Sequence, residues 1–244
     1  MKKTIITTSW DDGHPLDLKL AGLLKRYDVP ATFYITIDNA ERECLDPKGI
    51  REISEGFDVG GHSYHHLDLT RVSHKEAGME ITNGKRRLEE IIGRELHSFC
   101  YPFGSFNGRV AGMVREAGFI GARTAKSITR TIKDPFKMGI TITATNWGSA
   151  PYIKHSVESL DFALFLFMLK SNLFFKRWDM IAMGTLDFVV ANGGIWHLCG
   201  HSCEIYKNDD WARLEEVFRR ISGLPEQTLK LDNSQLLKMR PEKS

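Results

Sequence analysis

Asp11 and Asp12 stand side by side in Thr8-Ser9-Trp10-Asp11-Asp12-Gly13-His14, at the end of a β-like run, Thr4-Ile5-Ile6-Thr7-Thr8. A later segment, Gly61-His62-Ser63-Tyr64-His65-His66, places two histidines at i and i+4. Adjacent residues on an extended chain point in different directions, so two neighbouring carboxylates can hold different jobs. One can ligate a metal ion while the other faces a water. The histidine spacing predicts that His62 and His66 share one face of a helical turn and grip one ion together. One carboxylate plus two imidazoles leaves open positions on the ion, and water bound there has its pKa lowered towards about 7. Each half of this kit has a plainer reading by itself. Asp-Gly is a turn dipeptide, and His65 and His74 show a region rich in histidine. The two halves together, on successive rims of an alternating α/β chain, favour chemistry.

Those strands come from an alternating pattern. β-like runs are expected at Thr4–Ser9, Ala31–Ile37, Ser98–Tyr101, Phe119–Arg123, Ile140–Thr145 and 194–199. Between them lie amphipathic stretches at Leu16–Tyr27, Pro47–Glu55, from a Ser73 cap to Ile92, and Gly108–Ala117, with a last helix at Trp211–Ser222. Alternation of this kind argues for parallel strands joined by right-handed crossovers, with catalytic groups on the loops at one rim. No linker, repeat or low-complexity tract divides residues 1–244, which read as a single α/β domain.

Bulk properties exclude some partners. A formal net charge of +2 across 244 residues is too balanced to argue for nucleic acid. Lys2-Lys3 is followed by no apolar run long enough for a secretory signal, so a cytoplasmic location is expected. The four cysteines contain no C-x-x-C pair and read as reduced thiols. Cys199 and Cys203 are expected to be small packing residues.

One stretch departs from the alternation. Phe162-Ala163-Leu164-Phe165-Leu166-Phe167-Met168-Leu169 is followed closely by Leu173-Phe174-Phe175, inside a mostly helical apolar insertion at about 152–176. Lys170, Ser171 and Asn172 interrupt it, so it is too short to span a bilayer. It reads as a helix buried against the body or a second copy, or as an interfacial helix with Lys170, Lys176 and Arg177 facing lipid head groups. Peripheral membrane contact or homodimerisation through about 160–175 follows.

The chain resembles the polysaccharide deacetylase family, the NodB-homology carbohydrate esterases. Ser9-Trp10-Asp11-Asp12-Gly13 matches its first motif, and His62-Ser63-x-x-His66 matches its second in full. Cys100-Tyr101-Pro102-Phe103-Gly104 matches the third, except that Cys100 replaces an arginine. The fourth, D-x-x-D-W, survives as Asn146-Trp147, with Thr143 where its first acid belongs. Ile195-Trp196-His197-Leu198-Cys199-Gly200-His201-Ser202 offers two histidines for the fifth; His201, beyond the strand, is preferred over His197 within it.

The resemblance implies an irregular (β/α)7-type barrel. It implies Asp11 as general base, His201 as general acid, and Asp12, His62 and His66 as ligands of a divalent metal, with zinc the first choice. The Phe103 N–H would stabilise an oxyanion. Tyr101 and Trp147 stack on a sugar ring or belong to the core, and His14 lines the pocket or sits in the turn. The implied reaction is removal of N-acetyl groups from an amino-sugar-containing carbohydrate: a glycan, a glycoside or a lipid-linked precursor. Hydrolysis of other linear or cyclic amide C–N bonds, and a non-catalytic carbohydrate-binding role, are the alternatives. The missing arginine would have tuned the base, and the missing acid would have oriented the histidine. Glu204 and Asp187 are candidates to replace that acid.

Overall fold

The structure is a computed structural model that describes residues 3–145 and 161–239. The chain starts with β1 (Thr4–Asp12), α1 (Asp17–Arg26), β2 (Thr32–Ile35), α2 (Pro47–Ser54), β3 (Asp58–Gly61) and α3 (His74–Ile92). It continues through β4 (Ser98–Cys100), α4 (Gly108–Glu116), β5 (Gly121–Arg123) and β6 (Ile142–Thr143). After residue 160 come α5 (Phe162–Lys170), α6 (Trp178–Asn192), β7 (Gly194–Gly200), α7 (Ser202–Lys207), α8 (Trp211–Ser222), β8 (Leu229–Lys230) and α9 (Asn233–Lys238).

The strands pair in the order β5-β4-β3-β2-β1-β7-β6, all in parallel, and β8 adds to the lower part of β1. β5 and β1 are four strands apart, about 19 Å in a flat sheet. Yet Arg123 of β5 bonds Asp11 of β1. The sheet is therefore curled into a half-barrel, in keeping with the irregular (β/α)7-type barrel that the resemblance implied, and the two residues meet across its lumen.

The two faces of β1 show why the curl is stable. Outward, Ile6 and Trp10 join Phe33, Phe99 and Trp196 in the core beneath the helices. The Trp10 ring meets Phe218 of α8 edge-on, and the Trp196 indole donates to Thr185 of α6. Full burial of such side chains contributes about 1.5–3 kcal/mol each. Inward, the lumen is polar and hydrogen-bonded. Ser9 Oγ bonds His197 Nε2 at 2.8 Å, and Tyr34 accepts from Asn233 of α9. Gly60 leaves room for the Tyr34 ring, which a Cβ there would meet at 2.4 Å.

Element limits follow the sequence pattern closely, with β6 shorter than the expected 140–145 run. The first strand runs further than expected, carrying both Asp11 and Asp12 within it. Of the apolar insertion, 161–176 is described. It forms α5 and a 3₁₀ turn, Leu173–Phe175, while 152–160 lies outside the described residues. Among the described residues no helix is long and apolar enough to cross a membrane.

Candidate active site

The end of β1 separates its two acids by a backbone twist. Asp12 has φ +80° and Gly13 φ +70°. A left-handed aspartate breaks the strand's alternation, so Asp11 keeps its place in the lumen and Asp12 turns towards the rim. Asp12 Oδ1 lies 3.5 Å from His62 Nε2 and 3.3 Å from His66 Nε2. The three ligand atoms are within 4.8 Å of one another. Asp12 Oδ1 is buried and has no hydrogen-bond partner among the described residues.

The histidines are not on a helical turn, contrary to the spacing argument. They lie on the loop after β3, where Ser63 and His66 both have positive φ. Glu80 of α3 holds that loop, accepting from the N–H groups of Tyr64 and His65 and from His65 Nδ1. Gly84 lets α3 approach, since a Cβ there would touch the Ser63 carbonyl at 2.9 Å. The His62 and His66 rings therefore meet through a shaped loop, centroids 4.9 Å apart. His62 Nδ1 donates to the Cys100 carbonyl at 2.8 Å, which leaves Nε2 facing Asp12; burial lowers the His62 pKa, but Cys100 and Asp12 outweigh it and raise it, so a cation bound there would take the place of the Nε2 proton. Burial and the neighbouring His62 push the His66 pKa down to about 4, so its imidazole is neutral at pH 7. One carboxylate oxygen and two imidazole nitrogens are a donor set that fits a divalent cation, and the unpartnered Asp12 Oδ1 is the atom such an ion would satisfy.

Asp11 Oδ2 pairs with the Arg123 guanidinium, while Oδ1 has no partner. Burial would raise the Asp11 pKa. The charges of Arg123, His62 and His201 outweigh that and hold it below the usual carboxylate range. Cys100, at the motif position of the missing arginine, is a buried thiol whose pKa burial pushes up. Arg123 supplies the cation instead, from the adjacent strand.

His201 is the first residue beyond β7, with Nε2 4.0 Å from Asp11 Oδ2 and 3.9 Å from Asp12 Oδ2. Its Nδ1 lies 3.4 Å from Glu204 Oε1. Burial lowers the His201 pKa, but Glu204, Asp11 and Asp12 outweigh it and raise it. Glu204, one turn into α7, thus stands in the place of the missing acid. Asp187 does not; it is exposed and pairs with Arg220. His197 lies within β7, 1% exposed, as the preference for His201 required.

Sequence reasoning missed Arg42. It reaches in from the loop after β2, donating to Asp12 Oδ2 at 2.5 Å. The same guanidinium touches Cys203 Sγ at 3.3 Å and lies 3.8 Å from Glu204 Oε1. No motif marked it; only the strand-end position of its loop distinguished it from other arginines. Arg123 carried a better signal, as a charge ending a buried strand.

The aromatic candidates divide. Phe103 is 60% exposed and lies on the His66 ring, centroids 4.6 Å apart, with φ +57°. Tyr101 is a correction: it is fully buried, stacked on Phe106, with its hydroxyl donating to the Phe136 carbonyl. Its ring fills the core between β4 and the 3₁₀ turn Pro135–Lys137 and cannot meet a sugar. His14 is half-buried, its Nδ1 accepting from the Leu16 N–H, which is a turn role at the site's edge. Trp147, with Asn146, lies outside the described residues.

The profile of the family described as polysaccharide deacetylase matches residues 1–122, half of the chain. The chain belongs to the polysaccharide deacetylase family. That half contains the acid pair, His62 and His66, and the Phe103 turn. A peptidoglycan-N-acetylglucosamine deacetylase of Bacillus cereus is 30% identical over 105 residues, 42% of this chain and 37% of that protein. A peptidoglycan-N-acetylmuramic acid deacetylase of Bacillus subtilis is 30% identical over 113 residues, 46% of this chain and 24% of that protein. The chain thus matches about a third or less of the length of these relatives. Among solved structures, the chitin deacetylase of Colletotrichum lindemuthianum superposes with a TM-score of 0.62 at 16% identity, covering 100% of this chain and 91% of that one. A carbohydrate-esterase family 4 pseudoenzyme of Bacillus anthracis shares the fold too, with a TM-score of 0.55 at 16% identity over 97% of this chain and 66% of that one. The deacetylase fold therefore extends beyond residue 122, to the elements that carry Arg123, His201 and Glu204.

Proposed function

We propose that this chain is a metal-dependent hydrolase that removes N-acetyl groups from an amino-sugar-containing carbohydrate. The observation that carries the reading is the convergence of Asp12, His62 and His66 beside a separately partnered Asp11 and His201. Asp12, His62 and His66 would hold a divalent ion, zinc by its taste for nitrogen and oxygen donors, which supplies Lewis acidity to water and to the acyl oxygen. Asp11 takes the proton from the attacking water through Oδ1, the oxygen that Arg123 leaves free. The Phe103 N–H donates to the oxyanion that develops on the acyl carbon's oxygen. His201, whose protonated form Glu204 and the two aspartates favour, gives its proton to the departing nitrogen. The C–N bond breaks, leaving a free amine and acetate.

The non-catalytic alternative drew its support from the missing arginine and acid. Arg123 and Glu204 bring both charges to the expected partners, which favours an enzyme. The four free cysteines, two of them beside the site, fit a reducing cytoplasm. A soluble or lipid-linked amino sugar suits that compartment better than a wall polymer. The test is acetate release from a panel of N-acetyl sugars, with metal content measured on the same protein. Asp11→Asn should retain stoichiometric metal and release no acetate. Near wild-type release by that variant would refute the assignment.

A further inference from the structure

Half of the large hydrophobic side chains exposed on the described surface fall between residues 162 and 180. They are Phe162 at 68%, Leu169 at 54%, Phe175 at 68% and Met180 at 46%. They run along the outer side of α5, over the Leu173–Phe175 turn and onto the first turn of α6. The inner side is filled: Leu164 and Met168 are buried, and Phe174 packs against Phe165. Exposed Lys170, Lys176 and Arg177 are interleaved with the apolar residues. The two flanking acids are already paired, Asp179 with Arg177 at 2.9 Å and Asp161 with Arg130 at 2.6 Å.

This patch is at the catalytic end of the molecule. α6 ends at Asn192 and leads through Gly193 straight into the start of β7, so the two run antiparallel. The first residue of α6, Trp178, donates its indole N–H to Asp210, just beyond α7. α7 in turn follows His201 directly. The α5–α6 turn therefore lies beside the rim onto which His201 opens.

We infer that the α5–α6 turn docks on an anionic lipid surface, with Leu169, Phe175 and Met180 entering the interface and Lys170 and Lys176 meeting the head groups. Apolar side chains fringed by lysines match such a surface. A second copy matches it poorly, because a two-fold contact would set the same lysines of both chains against each other. Docking there presents the rim to head groups, so on the deacetylase reading the substrate is a lipid-linked N-acetyl sugar.

The test is flotation with vesicles of phosphatidylcholine alone and of phosphatidylcholine with phosphatidylglycerol. The wild type should float with the second kind and not the first, and raised salt should release it. Phe175→Ser with Leu169→Ser should bring flotation to background, and Lys170→Gln or Lys176→Gln should weaken it about fivefold each. None of these residues contacts Asp11, Asp12, His62, His66 or His201 in any described bond or ion pair, so the variants should keep wild-type acetate release from a soluble N-acetyl sugar. Absence of flotation, or flotation that the substitutions leave unchanged, overturns the proposal. So does a dimer in sedimentation that Phe175→Ser splits, which would assign the patch to a second copy. Flotation without any acetate release would instead fail the deacetylase reading and leave the docking surface standing.

Discussion

Cys100 and Arg123 are register partners on β4 and β5, and the guanidinium that the family motif places at the first arises from the second. Both strands end at the same rim of a curled sheet, so a long side chain from either can cross the lumen to Asp11. The exchange keeps the charge beside Asp11 while changing the residue that provides it.

Arg123→Ala should leave Asp11 buried without its cation. Breaking a buried pair costs about 3–5 kcal/mol, so a lower melting temperature is expected along with loss of turnover. Asp11 should then titrate higher, moving the acid limb of the pH–rate profile to higher pH in Arg123→Gln. Cys100→Arg added to Arg123→Ala should recover part of the activity. A double variant as inactive as the single one would show that position 100 cannot serve.

Glu204→Gln removes a charge that favours the protonated form of His201. The His201 pKa should fall, and a general acid is lost as pH rises through its pKa, so the alkaline limb of kcat should move to lower pH. Asp187→Asn should leave the profile unchanged. If both substitutions act alike, His201 is not oriented by Glu204.

Asp12→Ala and His62→Ala should each abolish stoichiometric metal binding. Arg42→Gln should retain binding but weaken it about 10–100-fold, since Arg42 fixes Oδ2 and thereby aims Oδ1 at the histidines. Equilibrium dialysis against a competing chelator reads all three. Unaltered affinity in Arg42→Gln would make that contact incidental.

Asp17 gives a stability prediction. Its carboxyl is fully buried, and burial pushes its pKa up to about 8 although the Ser202 hydroxyl beside it favours the charged form. An acid whose folded pKa lies above its unfolded value opposes folding once it must ionise. That penalty grows from about pH 4 to about pH 8 and is constant beyond. Asp17→Asn should therefore melt above the wild type at pH 8, with the gap closing near pH 4. A gap independent of pH would mean that packing, not charge, causes the difference.

The sequence alone determined the parts whose chemistry is local. Adjacent Asp11 and Asp12, the His62–His66 pair and His201 past its strand are each defined within a few residues, and strand–helix alternation is a periodic signal that needs no partner. Tertiary structure decided everything that depends on which strands and loops meet. The curl brought Arg123 across four strands to Asp11, α7 brought Glu204 to His201, and the loop after β2 brought Arg42 to Asp12. Glu80, not helical periodicity, shaped the loop that joins the two histidines. Tyr101 went to the core because its hydroxyl found the Phe136 carbonyl from a distant turn. Sheet register and curvature arise from long-range packing, and a one-dimensional pattern carries neither.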